Sequence, residues 1–408
     1  MDIRADVLIV GGGLNGPALA LALAQAGFTV ALVDRLAHET RLDPGFDGRA
    51  YALALASRRL FEALGLWPVL APESQPILDI HVTDGRPGEG AAPWFLHFDH
   101  AEIEEGPMGH MLEDRHLRRV LLATMQAEPG IAQIAPAEVV VQEVGPAGVT
   151  LTLGDGRRLE GRVLVGADGR GSGTAARAGI ARTGWDYGQT GLVCAVEHEL
   201  PHGGCAHQFF MPAGPLAILP LKGNRSSIVW TERSALAAEV SAMSDADYLA
   251  TLRPRFGDFL GAIRLAGARS SYPLSLSIAH SFVAPRLALL GDAAHGVHPI
   301  AGQGLNLGLR DVAALAEVLL EARRRGEDIG AADVLARYQR WRRWDAVSLA
   351  LGMDAVNRLF SNDNPLLRAV RDLGLGAVNA LPGVRRRFIR EAAGLSGDVP
   401  RLMQGRGP

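Results

Sequence analysis

The fold class of this chain is indicated near its start, by Val7-Leu8-Ile9-Val10-Gly11-Gly12-Gly13-Leu14-Asn15-Gly16. Its four apolar residues suffice for a short strand buried on both faces, and the glycines that follow have G-x-G-x-x-G spacing. Gly11 permits a tight turn, Gly13 lets the backbone approach a pyrophosphate, and Gly16 lets a helix pack closely on the strand. The N-terminus of that helix would face the negative charge of the phosphates.

The residues that follow complete a dinucleotide-binding unit. Leu14 to Ala26 is predicted to be a helix, with Gly27 at the position of its C-cap. Residues 28–33 then form a second apolar strand that ends at Asp34. Asp34 stands 18 residues after Gly16, close to the roughly 20 expected of an acid that binds a ribose hydroxyl. The pattern predicts a dinucleotide site, and the acid by itself leaves FAD and NAD as alternatives.

The composition is that of an ordinary globular enzyme. The chain has 408 residues, of which 48% are apolar and 21% charged, and its net charge is −3. The length predicts two or three domains, and the charge offers no global attraction for nucleic acid. Two cysteines, Cys194 and Cys205, cannot build a disulfide framework or a four-ligand zinc site, which favours a reducing cytoplasm. No run reaches the ~18 apolar residues of a membrane span, and no cleavable leader precedes the first strand, so we expect a soluble protein.

Two further glycine motifs lie at the ends of predicted strands. Residues 164–169 (LVGADG) run from a strand into a turn, and Ser172 is placed to cap a following helix. An Asp168-Gly169 hairpin turn is the alternative. Residues 287–290 form a buried strand that leads into Gly291-Asp292-Ala293-Ala294-His295, and a glycine-rich turn then opens a long helix from about residue 307 to 324.

The second of these motifs, residues 291–306 (the late motif), combines two groups that suit a flavin nucleotide. A carboxylate at a strand end, here Asp292, can accept hydrogen bonds from sugar hydroxyls. The glycine-rich turn at 302–306 offers backbone N–H groups and the positive end of a helix dipole to a flavin carbonyl that becomes negative on reduction. His295 and His298 also suggest zinc, but no other ligand lies near them in the sequence, so we expect no metal.

Together these motifs resemble the class A FAD-dependent aromatic hydroxylases, the fold group of para-hydroxybenzoate hydroxylase. Residues 298–312 (HPIAGQGLNLGLRDV) look like the signature of the ubiquinone-biosynthesis branch, the UbiH, UbiF and VisC group. The resemblance extends over essentially the whole chain, and the further matching stretches are Asp47-Gly48-Arg49 through Leu64-Gly65-Leu66-Trp67, Glu113-Asp114-Arg115, residues 214–220, Val229-Trp230-Thr231 and Phe360-Ser361-Asn362-Asp363. Many relatives carry Glu at position 34, Asn at 114 and Ser near 54, and these departures leave the expectation of FAD binding unchanged.

The resemblance implies an α/β fold with a Rossmann-like FAD-binding domain of the glutathione-reductase type, an inserted mixed β-sheet domain for the substrate, and a helical C-terminal region. The FAD-binding domain is expected at 1–75, 100–180 and 280–330, the substrate domain at 76–99 and 181–279, and the helical region at 331–408. By the same resemblance, the expected cofactor-binding residues are Gly11, Gly13, Gly16, Asp34, Arg35, Arg49, Arg115, Asp168, Asp292, Gly302, Gly304, Leu305 and Asn306.

Three side chains of the predicted sheet are candidates for contact with the substrate. Phe210 and Trp230 are candidates for an aromatic pocket, with ordinary core packing as the alternative for both. His207 is a candidate base toward a phenol, with a solvated strand histidine as the alternative.

The C-terminal region is predicted to form helices over residues 332–360 and 365–393. It holds the dense basic run Arg385–Arg390 (RRRFIR). Such a run is either a solvated helix face or a contact with an anionic membrane surface or a partner in a quinone-biosynthesis complex. A protein that makes the membrane contact would be cytoplasmic and peripheral at the inner face of the membrane.

The function implied by the resemblance is hydroxylation of the aromatic ring of a polyprenylated phenol or quinol in ubiquinone biosynthesis. Reduced flavin would add O2 at its C4a carbon to form a hydroperoxide, whose distal oxygen the ring attacks. The sequence has no second G-x-G-x-x-G site, so the electrons would come from transiently bound NAD(P)H or from a separate reductase. The alternatives are a hydroxylase of a small soluble aromatic compound and a non-catalytic FAD-bearing component of a quinone-biosynthesis complex. The motifs do not specify the ring carbon, the prenyl length or the oligomeric state.

Overall fold

The computed structural model describes residues 3–42, 45–88, 90–362, 371, 374 and 376–408, with the backbone alone at 90–94 and 301. The sequence expectations for Met1, Asp2 and Asp363, and for a helix over 365–370, lie outside the described residues. Within the described ranges the chain forms three β-sheets and the helices that pack against them.

The strands are, in chain order, β1 (Ile3–Val10), β2 (Val30–Val33), β3 (Ala50–Ala54), β4 (Gln75–Ile77), β5 (Asp79–Arg86), β6 (Gly90–Asp99), β7 (Gly109–Glu113), β8 (Ile131–Ile134), β9 (Val139–Val144), β10 (Val149–Leu153), β11 (Arg158–Gly166), β12 (Arg182–His198), β13 (Cys205–Met211), β14 (Gly214–Leu221), β15 (Arg225–Arg233), β16 (Ile263–Leu265), β17 (Ser270–Ala279), β18 (Val283–Ala284), β19 (Leu287–Leu289) and β20 (His295–Gly296). The helices are α1 (Asn15–Gln25), α2 (His38–Arg41), α3 (Leu55–Ala63), α4 (Trp67–Leu70), α5 (Asp114–Ala127), α6 (Gly173–Arg177), α7 (Ser234–Ala242), α8 (Asp245–Phe256), α9 (Gln303–Arg324), α10 (Ala332–Phe360) and α11 (Pro382–Ala392).

The first sheet carries the nucleotide motif. β1 lies between β11 and β2, and all three strands run parallel, with Val7 opposite Val163 on one side and Val30 on the other. β19 extends the parallel sheet beyond β11, and β8 extends it beyond β2. The apolar run of β1 is fully buried in a core shared with α1 and α9. A strand that is buried on both faces needs apolar side chains at every position, so its apolar residues are consecutive in the sequence and do not alternate with polar ones.

The predicted strand–turn–helix–strand unit is confirmed, with its helix at Asn15–Gln25 and its second strand at Val30–Val33. Gly27 follows α1 at φ +82°, a left-handed conformation that favours glycine and ends the helix. The helix predicted at 332–360 is confirmed as α10. The helix expected from about residue 307 begins at Gln303 instead, because Gly302 at φ +63° turns the chain directly into α9.

The second sheet is mixed and has the strand order β20-β17-β12-β15-β14-β13-β5-β6, with β16 paired to β12. Successive side chains of a strand point to opposite faces of the sheet. On β15, Trp230 packs in a core with Tyr248 and Phe256 of α8, whereas its neighbour Val229 borders a cavity. One face of this sheet therefore packs against α7 and α8, and the other face lines the cavity.

A small third sheet has the order β3-β7-β4. Hydrogen bonds from Asn306 connect β3 to the first turn of α9, so this sheet is fixed relative to the late glycine motif. None of the described helices combines the length and the apolar composition needed to cross a lipid bilayer.

Candidate active site

The glycine turn after β1 leaves open space at Gly13. A Cβ at Gly11 would collide with the carbonyl of Ala167, and a Cβ at Gly16 would collide with the carbonyl of Gly11. Gly11 also has φ +120°, a region that favours glycine. A Cβ at Gly13 would meet nothing within 4 Å, and Gly13 borders a cavity. Gly11 and Gly16 therefore shape the turn, whereas Gly13 faces space that a pyrophosphate can enter.

Asp34 lies directly after β2, as predicted, and is buried. Its carboxylate accepts hydrogen bonds from Arg41, from Nε at 2.6 Å and from Nη2 at 2.9 Å. Arg35, which the resemblance placed beside the ribose site, is exposed. Sequence reasoning missed Arg41 because its approach to Asp34 depends on the turn formed by α2, which no spacing rule specifies. Ribose binding by Asp34 and a cofactor role for Arg35 remain predictions.

The Gly-Ala-Asp-Gly motif at the end of β11 caps a helix. The Asp168 carboxylate accepts hydrogen bonds from the backbone N–H and the hydroxyl of Thr174, both at 2.9 Å. Ser172 accepts a hydrogen bond from the N–H of Ala175 at 3.0 Å. These contacts fix the first turn of α6, so the predicted cap is confirmed and the hairpin alternative is wrong. Direct contact of Asp168 with the cofactor remains a prediction.

Arg170, which sequence reasoning missed, borders the cavity. Its Nε donates to Asp292 at 3.2 Å, and its Nη1 and Nη2 donate to the carbonyls of Ser275 and Val297, each at 2.9 Å. Arg170 thus joins β17 to the late motif and holds the Asp292 carboxylate at the cavity. Its partners lie 105 to 127 residues away along the chain, so no local sequence signal marked it.

The turn at Gly302 and the first turn of α9 border the same cavity through four predicted residues, Gly302, Gly304, Leu305 and Asn306. The Asn306 side chain accepts a hydrogen bond from the N–H of Ala54 at 2.9 Å and donates one to the carbonyl of Ala52 at 2.8 Å. The side chain of Asn306 therefore holds the first turn of α9 against β3. The N-terminus of α9, with the partial positive charge of its first N–H groups, is held at the cavity as a result.

A buried ionic cluster around Asp311 holds the late motif in place. Asp311 of α9 accepts hydrogen bonds from the N–H of Gly291 at 3.0 Å, from Nε2 of His295 at 2.5 Å and from Nε of Arg342 at 2.8 Å. Burial raises the pKa of Asp311, but His295 and Arg342 outweigh burial and hold this pKa below its ordinary value. His295, considered from the sequence only as a zinc ligand, therefore fixes the turn that carries Asp292.

Two arginines expected at the cofactor are not on the cavity wall of the described structure. Arg49 donates to Asp47 at 2.7 Å, and Arg115 donates to Glu113 at 2.8 Å. Arg118, one turn further along α5, does border the cavity, and its buried Nη1 has no partner among the described residues. A buried N–H without an acceptor costs free energy until a ligand supplies one. Arg118 is therefore a candidate cofactor-binding residue that the sequence motifs did not mark.

The cavity has a volume of about 610 Å³ and two chemically different walls. One wall holds the nucleotide motifs, with Gly13, Asp292 and the start of α9. The other wall is apolar and consists of Ile77, Ile80, Val82, Phe98, Met108, Ala206, Phe210, Ala217, Leu219, Val229 and Ile389. Gln208 and Tyr272 also border the cavity. Burial raises the pKa of Tyr272, with Arg170 opposing, so its hydroxyl is protonated at neutral pH and can donate a hydrogen bond.

The two aromatic candidates from the sequence lie on opposite faces of the second sheet. Phe210 borders the cavity, and its ring stacks on Phe360 with the centroids 4.1 Å apart. Trp230 is 1% exposed and packs on Tyr248, so the structure places it in the core that the sequence analysis kept as the alternative. The reason is strand alternation, because Val229 takes the cavity side of β15 and Trp230 must take the other.

His207 does not present its imidazole to the cavity as a base. Although the residue borders the cavity, its ring packs against His81 and Phe259, with centroid distances of 5.4 and 4.6 Å. Ala206 and Gln208 occupy the cavity side of β13, so alternation directs His207 to the other face. Burial first, and then His81, lower the pKa of His207 to about 4. The expectation of a base at His207 is therefore corrected to a partly buried neutral histidine.

A flavin dinucleotide fits this site in charge and in shape. Gly13 leaves space beside the N-terminus of α1, the buried Oδ1 of Asn15 has no partner within the described part of the chain, and Arg118 offers an unpaired donor. The family model for the FAD binding domain matches residues 4–348. The chain belongs to this FAD-binding family. The predicted cofactor, FAD, is thereby confirmed.

Two curated relatives match almost the full length of the chain. The ubiquinone hydroxylase UbiL of Rhodospirillum rubrum is 49% identical over 407 residues, which cover 99% of this chain and 94% of that protein. The 3-demethoxyubiquinol 3-hydroxylase of Escherichia coli is 35% identical over 392 residues, covering 96% of this chain and 98% of that protein. These matches confirm the resemblance to the ubiquinone-biosynthesis branch of the flavin hydroxylases.

A solved structure confirms the predicted fold class. The p-nitrophenol 4-monooxygenase PnpA of Pseudomonas putida superposes with a TM-score of 0.80 at 21% sequence identity, covering 97% of this chain and 99% of that chain. The Rossmann-like sheet, the mixed second sheet and the C-terminal helices therefore form the architecture of the class A aromatic hydroxylases.

Proposed function

We propose that this protein is an FAD-dependent monooxygenase that hydroxylates the aromatic ring of a polyprenylated phenol or quinol on the route to ubiquinone. The observation that carries the proposal is one cavity with the flavin motifs on one wall and an apolar sheet face on the other. Bound FAD supplies the chemistry that activates O2, with electrons from NAD(P)H or a separate reductase. The reactions named for the two relatives support the substrate class.

The protein's own residues bind and orient the substrate and exclude water. The apolar wall, from Ile80 to Val229, suits an aromatic ring with a prenyl chain and offers water few hydrogen bonds. Tyr272 and Gln208 offer polar side chains on this side of the cavity, and both can donate to a ring oxygen. Asp292, held by Arg170, suits the ribityl and phosphate region of the cofactor.

Complementation tests this function directly. We would express the protein in strains that each lack one ring hydroxylase and measure quinone intermediates by mass spectrometry. Rescue of one or more strains is expected and would identify the ring carbon. A well-expressed yellow protein that rescues no strain would count against a ubiquinone precursor as substrate. Fast NADPH oxidation stimulated by a simple phenol would then favour a small soluble aromatic substrate.

The variant Asp292→Ala distinguishes catalysis from a scaffolding role. Because Asp292 lies on the cavity wall, its loss should weaken flavin binding and abolish rescue while the protein stays folded. Folding is checked by circular dichroism and flavin content by absorbance. Full rescue by a folded, colourless variant would show that the protein acts as a non-catalytic component of a quinone-biosynthesis complex.

We also propose that α11 lies on the anionic inner face of the membrane beside the cavity. The two ends of its basic run anchor the helix, since Arg385 donates to Glu102 at 2.7 Å and Arg390 donates to Glu105 at 2.9 Å. Ile389, on the inner face of the helix, borders the cavity. A substrate that leaves the bilayer next to α11 would therefore have a short path into the site.

The outer face of α11 combines positive charge with apolar surface. Arg386 and Arg387 are exposed, Phe388 is 51% exposed, and Leu381, the residue immediately before the helix, is 53% exposed. Basic residues with neighbouring apolar side chains are typical of helices that lie in a membrane interface.

Sedimentation with anionic liposomes tests the membrane contact. Each arginine near an anionic surface contributes about 1 kcal/mol, so Arg386→Gln with Arg387→Gln should lower the partition constant about 30-fold. Arg324→Gln with Arg325→Gln, at the far end of α9, is the matched control and should bind like the wild type. Equal sedimentation of both double variants would contradict the proposal, and loss of rescue with intact liposome binding would favour a protein partner.

A further inference from the structure

A cluster of metal-binding side chain types lies on the face of the second sheet opposite the apolar wall. The strands β13, β5 and β6 are neighbours there, and their register places His207 beside His81, and His81 beside His97. Two residues earlier along β13 and β5, the same register places Cys205 beside Asp79. Side chains two residues apart in a strand share a face, so these five groups lie together.

Three of these groups converge on one point. A ligand atom from each of His81, Cys205 and His207 lies within 4.8 Å of the other two. In a tetrahedral zinc site, with Zn–N of about 2.1 Å and Zn–S of about 2.3 Å, the ligand atoms are about 3.5 Å apart. Rotation about side-chain bonds can close that difference while the strands stay in place.

The structure shows little else that satisfies these three side chains. Among the described residues, the imidazoles of His81 and His207 make no hydrogen bond, and the thiol of Cys205 is 3.7 Å from the carbonyl of Ala206. The ring of His81 stands edge-on to the rings of His97 and His207, at centroid distances of 4.7 and 5.4 Å. Partly buried imidazole nitrogens packed against one another gain a shared partner if a cation binds between them.

We propose that His81, Cys205 and His207 bind one Zn²⁺ ion, with a water molecule as the fourth ligand. Histidine nitrogen and cysteine thiolate are the ligands that Zn²⁺ most often takes in proteins. Binding releases the Cys205 thiol proton to solvent and leaves the site with one positive charge. Asp79, which accepts a hydrogen bond from Nε2 of His97 at 2.7 Å, is close enough to offset that charge. The sequence analysis expected no metal and did not bring these three residues together, since position 81 is far from 205 and 207 in the chain.

The ion would join two strands that also build the cavity. On their other face, β5 and β13 supply Ile80, Val82 and Phe210 to the apolar wall. Zn²⁺ would therefore stiffen this wall without contacting the substrate or the flavin. The proposal is independent of the proposed reaction, since neither its residues nor its test involves turnover.

Metal retention by the flavin-loaded protein tests the site. The untagged protein is incubated with excess Zn²⁺, passed through a chelating resin, and analysed for zinc and flavin by mass spectrometry and absorbance. We expect about one zinc per chain in the wild type, and less than about a tenth of that in Cys205→Ser and in His207→Gln. Cys194→Ala removes the other cysteine, which is buried against Tyr248, and should retain zinc like the wild type.

Cobalt provides a second readout that is specific for the thiolate. Co²⁺ should give a ligand-field band beyond the flavin absorbance, and Cys205→Ser should lose its intensity while its flavin content stays at the wild-type level. Zn²⁺ should also raise the melting temperature of the wild type and leave that of Cys205→Ser unchanged. A wild type that retains no zinc would overturn the proposal, as would wild-type retention by Cys205→Ser.

Discussion

Replacing Asp311 by asparagine removes the charge at the centre of the cluster behind the late motif and keeps the shape of the side chain. Asp311 and Arg342 are both 0% exposed, so solvent cannot compensate for the lost carboxylate. Arg342 keeps an ion pair with Asp345, but the amide leaves only one acceptor oxygen where the carboxylate offered two, so Nε of Arg342 and the ring of His295 can no longer both be satisfied.

The size of the effect follows from burial. Breaking a buried ion pair by removing one partner costs about 3–5 kcal/mol, because the remaining charge loses compensation, and the ion pair with Asp345 restores part of it for Arg342. Globular proteins unfold with an entropy of about 2.1 cal/mol/K per residue, which for 408 residues gives about 0.9 kcal/mol/K. Asp311→Asn should therefore lower the melting temperature by about 3.5–6 °C. The N–H of Gly291 also loses its carboxylate acceptor, so flavin content should fall as well.

Thermal unfolding followed by circular dichroism measures the shift. Glu160→Gln is the control, because its ion pair with Arg4 joins side chains that are 44% and 80% exposed and should contribute less than about 1 kcal/mol. A melting temperature of Asp311→Asn within about 1 °C of the wild type would refute the assignment of a bracing role.

The same variant has a defined pH dependence. Since the pKa of Asp311 is lower in the folded protein than in the unfolded chain, its ionisation stabilises the fold above the unfolded pKa of about 3.9. That stabilisation is lost as the pH falls through the lower, folded value. The difference in melting temperature between wild type and variant should therefore be constant near neutral pH and shrink below about pH 4.

Three further predictions concern the cavity. Gly13→Ala should keep the wild-type melting temperature but lose FAD, because its methyl group enters open space that the pyrophosphate needs. Gly11→Ala should instead destabilise the fold, because its methyl group would collide with the carbonyl of Ala167. Flavin absorbance and thermal unfolding distinguish the two variants. Ala217→Trp should fill the apolar wall and abolish substrate-stimulated NAD(P)H oxidation at unchanged flavin content, and full activity would contradict the wall's assignment. Arg118→Gln should weaken FAD binding about tenfold through the loss of a charged hydrogen bond, as measured by flavin fluorescence, while Arg119→Gln on the exposed side of α5 should bind FAD normally.

The flavin half of the site could be predicted because its signals are local. The turn from β1 into α1, the acid after β2 and the glycine turn before α9 each depend on a few consecutive residues, and the structure shows all three. The ionic contacts behind them could not be predicted in this way. Arg170 meets Asp292 from 122 residues away, and Arg342 meets Asp311 from 31 residues away on another helix. Such pairs are set by how helices and sheets pack, which periodicity does not encode.

The substrate half shows a different limit of sequence reasoning. The strands were recognised, but a strand pattern does not say which of its two faces meets a ligand. Trp230 and His207 were therefore candidates for the cavity, and both side chains pack on the other side of the sheet. Phe210 was an equally open choice and does border the cavity. Only the position of the sheet relative to the flavin motifs shows which set of alternate side chains faces the cavity.

The two-faced second sheet also has a consequence for how substrate preference can diverge. Val229 and Ala217 border the cavity, while their neighbours Trp230 and Leu216 belong to a separate core beneath α8. Mutations at alternate positions of one strand are therefore constrained in different ways. At one position a mutation must preserve the stability of the fold, and at the next it must preserve the fit of the ligand. Lineages that inherit this scaffold can exchange the wall residues for new aromatic substrates while the interleaved residues keep the sheet folded.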